Sequence, residues 1–202
     1  IRSIVRDDAP AETLKLALAP FMPFDRVALV LRELRGAGPG YDVSLVEAGA
    51  ASDLRLATRQ TLRDDEIFYP LWQDHFMLAL PRAHLLTLKP QIGLAELDGL
   101  AWIGRKDCEV EAHFAHALTR AGASVKTKAL VATDEQALAL LGAGIGACLL
   151  PLSLQGAAHA ARAPLPDLVL ERNVGLAHAR GFAMTDALMD AFNQCARVWR
   201  AN

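Results

Sequence analysis

Two spacings alternate along this chain, and together they restrict what it can fold into. Leu14, Leu16 and Leu18 recur with period two in a compact apolar run, the pattern of a buried strand. The loop Ala19-Pro20-Phe21-Met22-Pro23 follows, and then Val27, Leu31 and Leu34 recur at the intervals of one helix face. Asp25 is placed to cap that helix, over 26–35, and the glycine cluster at 36–40 ends it. Tyr41, Val43 and Leu45 alternate as a second strand; third and fourth strands are expected over 54–58 and 76–80. Trp102 and Ile103 make a short strand, and the loop 104–107 leads into a helix marked by Val110, Phe114 and Leu118 and stopped at Gly122. Thr127, Ala129 and Val131 alternate as a strand. Thr133-Asp134-Glu135-Gln136 has the form of a capping box, in which hydroxyl and amide satisfy each other's free N–H groups at the start of a helix running to about residue 143. Gly144 and Gly146 turn the chain into a strand over 147–150, closed by Pro151. A strand over 174–177 and a long helix with Leu188, Phe192, Cys195 and Trp199 on its buried face complete the chain. Strand following helix following strand predicts an α/β fold with largely parallel sheets.

Composition narrows the function. With 202 residues, 52% of them apolar and 22% charged, the chain can bury a core large enough for one two-lobed unit or two small domains. A net charge of -2, with Lys and Arg scattered, provides no general attraction to phosphate, so these residues do not read as a nucleic-acid surface. Cys108, Cys148 and Cys195 are odd in number and far apart, which suits a reducing cytoplasm better than a disulfide framework. No apolar run approaches the roughly 20 residues needed to span a bilayer, and 1–13 lacks a signal-peptide pattern.

The densest passage, Ala137 through Leu141 and then Gly142-Ala143-Gly144-Ile145-Gly146-Ala147-Cys148-Leu149-Leu150-Pro151, superficially suggests a dinucleotide loop. Its glycines follow a helix and precede a strand, whereas pyrophosphate binding needs strand, glycine turn, then helix. A tight helix-to-strand turn is the better reading. His113 and His116, three apart on a helix, have no further ligands in sight, and HExxH, GxSxG and Walker-type motifs are missing from the sequence. No metal or cofactor is expected.

The capping box, the glycine turn and Leu149-Leu150-Pro151 resemble the effector domain of LysR-type regulators. Phe76 to Pro81, His84 and Leu86, Leu94 to Leu97, and Trp102-Ile103 also stand in that family's order, and the likeness extends over nearly all the chain from Leu14. The resemblance implies two Rossmann-like α/β lobes joined by crossing strands, as in type II periplasmic binding proteins. Lobe I would comprise 14–71 and 172–202 and lobe II 72–171, with 1–13 as the hinge from a DNA-binding segment upstream. One departure stands out: only Ala50, Ala51 and Ser52 lie between Gly49 and Asp53, where the family has a helix. Omission of a mobile segment is the preferred explanation, because losing a helix would uncover one face of the first sheet.

In open parallel sheets ligands bind beyond the carboxyl ends of the strands, near helix starts. The resemblance therefore selects Pro20, Phe21 and Met22 after the first strand, Thr58 and Arg59 after the third, Gly104, Arg105 and Cys108 after Trp102-Ile103, and Ala132 and Thr133 after Val131, around a cleft between the lobes. A small anion is the natural guest, with Arg59 or Arg105 as counter-charge. Each has a plainer reading: Thr133 as a cap, Phe21 and Met22 as packing, the arginines as solvated surface groups. Cys108 begins a helix, where the local field favours thiolate, but with no second cysteine in that helix an inert thiol is the better reading. The expected protein is a cytoplasmic sensor and not an enzyme. It would form a homodimer or homotetramer that binds a small-molecule effector and contacts DNA through an N-terminal winged helix-turn-helix outside this chain. An exported solute-binding protein shares the lobe plan; a prephenate-dehydratase-like enzyme is suggested only by Thr58-Arg59 and Thr61.

Overall fold

Leu14, Leu16 and Ala17 are buried in the first strand, β1 (Glu12–Leu18), and the rest of the first unit is built outward from them. The structure, a computed structural model, describes residues 12–37, 41–154 and 160–200, with the side chains of 198–200 outside the description. Most of the expected hinge, the glycines at 38 and 40, and the packing of Trp199 therefore lie outside the described residues. The chain divides into two compact units, Ile1–Trp72 with Gly175–Asn202, and Gln73–Val174.

In the first unit β1 pairs in parallel with β2 (Tyr41–Glu47) on one side and β3 (Leu54–Thr58) on the other, and β3 is followed by β9 (Glu171–Ala179) in the strand order. Helix α1 (Phe24–Arg35) buries Val27, Val30 and Leu34, and α4 (Asp186–Arg200) buries Leu188, Ala191, Phe192 and Cys195. Each of the larger of these side chains contributes about 1.5–3 kcal/mol when removed from water, and the two helices pack on one another. Asp25 does not cap α1. The N-cap is Pro23, whose φ of -63° directs the chain into the helix two residues earlier than expected, and Asp25 falls in the exposed first turn. There its charge still complements the helix dipole.

β2 and β3 are joined by a six-residue turn, 48–53, with no helix. Asp53 holds it, donating its N–H to the Lys15 carbonyl (3.0 Å) and accepting the Lys15 N–H on its carboxylate (2.8 Å). On the sheet face opposite Leu14 and Leu16, Thr13, Lys15, Asp42 and Ser44 are all exposed. That stretch is polar, so the short connection uncovers no large apolar surface there.

In the second unit β5 (Ala101–Arg105) pairs in parallel with β6 (Lys126–Val131), with α2 (Glu109–Arg120) between them in the chain. α3 (Asp134–Gly142) then leads into β7 (Cys148–Pro151). Gly146 marks that junction: a Cβ there would stand 2.7 Å from the Ala101 carbonyl oxygen, and Ala147 donates to the same carbonyl at 2.8 Å. The expectation of largely parallel sheets needs correction here. Both β7 and β8 (Ala160–Ala163) run antiparallel to β4 (Glu66–Pro81), because β7 returns alongside a strand that approaches from the other end. β4 also begins ten residues before the expected 76–80. Among the described residues no helix is long and apolar enough to cross a membrane.

Candidate functional site

In the first unit, pairing of β1 with β3 brings two of the expected loops side by side. The Ala19 N–H donates to the Leu56 carbonyl at 2.9 Å, which sets the loop 19–23 against the end of β3. Pro20 is exposed, and Phe21 and Met22 are buried. Phe21 has φ of 57°, in the left-handed region, which costs a side-chain-bearing residue about 1–2 kcal/mol. Thr58 is buried at the end of β3; its N–H donates to the Thr61 hydroxyl (3.2 Å), which in turn donates to the Thr58 carbonyl (3.1 Å). Arg55 tightens the same turn, with Nη2 on the Thr61 carbonyl at 3.3 Å and Nη1 on both oxygens of buried Glu66 at 2.6 and 2.5 Å. Arg59 is exposed, its guanidinium 5.0 Å from the centre of the Phe68 ring.

The second unit repeats the arrangement. The Lys106 N–H donates to the Val131 carbonyl at 2.9 Å, so the segment after β5 lies beside the start of α3. Thr133 and Gln136 form the expected cap with one shift: the Thr133 hydroxyl accepts the Gln136 N–H at 3.2 Å, and the Gln136 amide oxygen accepts from Ala132, not Thr133, at 2.9 Å. Both Ala132 and Thr133 are exposed. Asp107, after β5, is left-handed at φ 58°. Gly104 and Arg105, expected in a loop, are the last residues of β5, because β6 pairs with that strand as far as Val131.

Arg105, expected to offer its charge to a bound anion, is itself enclosed at 3% exposure and is paired with Asp134. A second Nη donates to the Leu149 carbonyl at 3.3 Å. Burial pushes the Asp134 carboxyl above its ordinary value against the opposing pull of Arg105 and Arg172. Cys108 occupies the N-cap position of α2 and is buried. Burial raises its thiol pKa and outweighs the nearby Arg105 charge, so thiolate is disfavoured despite the helix start. His113 and His116 are exposed. Among the described residues no group of three or more His, Cys, Asp or Glu could hold a metal ion.

Sequence reasoning missed the rest of the polar interior of the second unit. Asp74 accepts from the Ser153 hydroxyl at 2.6 Å and from Arg172 Nη2 at 3.3 Å, and Phe76 lies under both Arg105 and Arg172. The available signal was parity: Asp74 stands at the same strand phase as Phe76, Leu78 and Leu80, and Arg172 at that of Val174 and Leu176, all buried. A charge at an inward position of a period-two run marks a buried, paired group.

The family model of the LysR substrate binding domain matches residues 7–200. The chain belongs to this LysR family. Similar structures agree on the two-lobed α/β fold. The CcmR regulatory domain of Synechocystis PCC6803, in complex with 2-PG, superposes with a TM-score of 0.78 at 17% identity, covering 94% of this chain and 98% of that one. The effector binding domain of QuiR in complex with shikimate gives 0.75 at 16%, over 95% and 99% of the two chains. HinK, a LysR family transcriptional regulator from Pseudomonas aeruginosa, gives 0.73 at 14%, over 94% of this LysR domain but 71% of the HinK chain. No curated protein sequence matches.

Proposed function

We propose that this LysR domain is the effector-sensing part of a DNA-binding transcription regulator, and that its effector is a small anion. In each unit the expected residues stand at the carboxyl ends of neighbouring parallel strands, β1 with β3 and β5 with β6; this observation carries the reading. Strand ends of this kind, next to helix starts, favour anionic guests. Arg59 supplies an exposed cation and Thr133 an exposed hydroxyl with hydrogen-bonding capacity beyond its cap. Phe21 and Asp107 add support, since left-handed residues other than glycine concentrate at functional sites. Cys108 shapes the second unit's loop from within and Gly104 is buried near the end of β5, while Pro20 and Ala132 present surface.

Because related domains have been seen with 2-PG and with shikimate, molecules of that size are the first compounds to test. A thermal-shift screen of small carboxylates and phosphate esters is expected to give stabilising hits. A hit at the first unit's strand ends should be weakened about tenfold or more by Arg59→Gln, the loss of one charged hydrogen bond, and a hit at the second unit's about fivefold by Thr133→Val, the loss of a neutral one. Hits bound equally well by both variants would overturn the site assignment. We propose further that the domain acts as a homodimer or homotetramer in the cytoplasm, binding effector without turnover, with a winged helix-turn-helix upstream of Ile1 making the DNA contacts.

A further inference from the structure

Four charged side chains are enclosed together in the second unit: Asp74 at 1% exposure, Arg105 at 3%, Asp134 at 3% and Arg172 at 0%. They come from four separate elements. Asp74 lies on β4, Arg105 ends β5, Asp134 opens α3 and Arg172 lies on β9. Arg105 pairs with Asp134 and Arg172 with Asp74. The two pairs meet at Phe76, whose ring centre is 5.2 Å from one guanidinium carbon and 5.0 Å from the other. Ser153 and the Leu149 carbonyl attach the end of β7 to the same group. Charge acts across the whole set, since both Arg172 and Asp74 bear on the ionisation of Asp134 as well as its direct partner Arg105.

The position of this cluster is what gives it consequence. Asp134 immediately follows Thr133, while Asp74 is the second residue and Arg172 the third inside the points, Trp72 to Gln73 and Val174 to Gly175, where the chain passes from one unit to the other. Buried charges are hardly screened, and each is tolerable only while its partner is in place. A displacement of Asp134 therefore cannot be absorbed locally: Arg105 must follow, and with it the ring and the second pair. We infer that the cluster makes the first turn of α3 and the connecting segments of β4 and β9 respond as one body, so that an event at Thr133 is transmitted to the strands that link the units. Its use in sensing rests on the effector reading given above; the coupling itself does not.

The test is made on the whole chain without effector. Urea unfolding of the wild type, Asp134→Asn, Asp74→Asn and the double variant forms a cycle, and the inference expects the two substitutions to be non-additive by about fivefold or more in the unfolding constant. Amide hydrogen exchange supplies the direction: Asp134→Asn should speed exchange over 73–76 and 170–174, and Asp74→Asn should do so in the first turn of α3. Thr133→Val, which removes the cap but none of the charges, should loosen the turn that carries Asp134 and so speed exchange over 73–76 and 170–174 as well as in α3. If the asparagine variants fail to fold, Ser153→Ala withdraws one hydrogen bond from Asp74 and must still raise exchange at the start of α3. Additive free energies, or exchange changes confined to the substituted element, would overturn the inference. A chain that binds none of the screened compounds can still pass this test, and one that binds them can fail it.

Discussion

Glu66 shows how a residue whose burial works against it can still be held ionised. Removal from water raises its carboxyl pKa, but the hydrogen bonds from Arg55 and the Arg63 N–H, together with both guanidinium charges, outweigh that and hold it below its ordinary 4.5. A carboxyl whose folded pKa is depressed contributes stability that is present above its unfolded pKa and is lost as pH falls through the folded one. Glu66→Gln should therefore cost about 3 kcal/mol at pH 7, the usual penalty for stranding one member of a buried pair. Urea unfolding between pH 7 and pH 3 should show the wild-type and variant stabilities converging below pH 4.5; parallel curves would refute this account of Glu66. Thr133 was legible at this scale because a cap is encoded within four residues. Arg105 was not, since its partner Asp134 lies 29 positions away and nothing local announces the meeting.

Among elements, those with a clean period were placed well and those without one were not. β3 occupies 54–58 as expected, and α2 carries Val110, Phe114 and Leu118 on its buried face. β8 went unseen because Ala160, Ala161, Arg162 and Ala163 are all half-buried and show no alternation. β4 was cut short because Pro70, Gln73, Asp74 and His75 interrupt its apolar pattern; the pairings that sustain the strand lie elsewhere in the chain. The turn from α3 to β7 joins both kinds of information. Gly144, at φ 74°, and Gly146, against the Ala101 carbonyl, were read from sequence as a tight turn, and the structure supplies the reason for the second glycine. Gly146→Val should destabilise the domain by about 1–3 kcal/mol through overpacking. Thermal unfolding checks this, and a wild-type midpoint would show that the β5 to β7 junction has room to spare.

For the whole molecule, the order of elements and the family match agree, and the remaining question is assembly. β2 is the outer strand of its sheet among the described strands, and Leu45 on it is 39% exposed. An outer strand with unpaired backbone groups invites a second chain. The proposed homodimer should appear by light scattering after size exclusion at micromolar concentration, and Leu45→Asp should shift it towards monomer. A wild-type chain that is monomeric under those conditions would remove β2 as a contact.

What the amino-acid order determined unaided is the local part: alternating strands and helices, the cap at Thr133, the glycine turn, and the membership these patterns signal. Periodicity and capping act over a few residues, so they survive in the sequence as spacing. The tertiary structure alone decided that Arg105 is enclosed by Asp134, that Asp74 and Arg172 face one another, and that β7 runs against β4. Those outcomes depend on which distant groups share a dry interior, where an unpaired charge is intolerable and a partner must be found wherever the chain brings one.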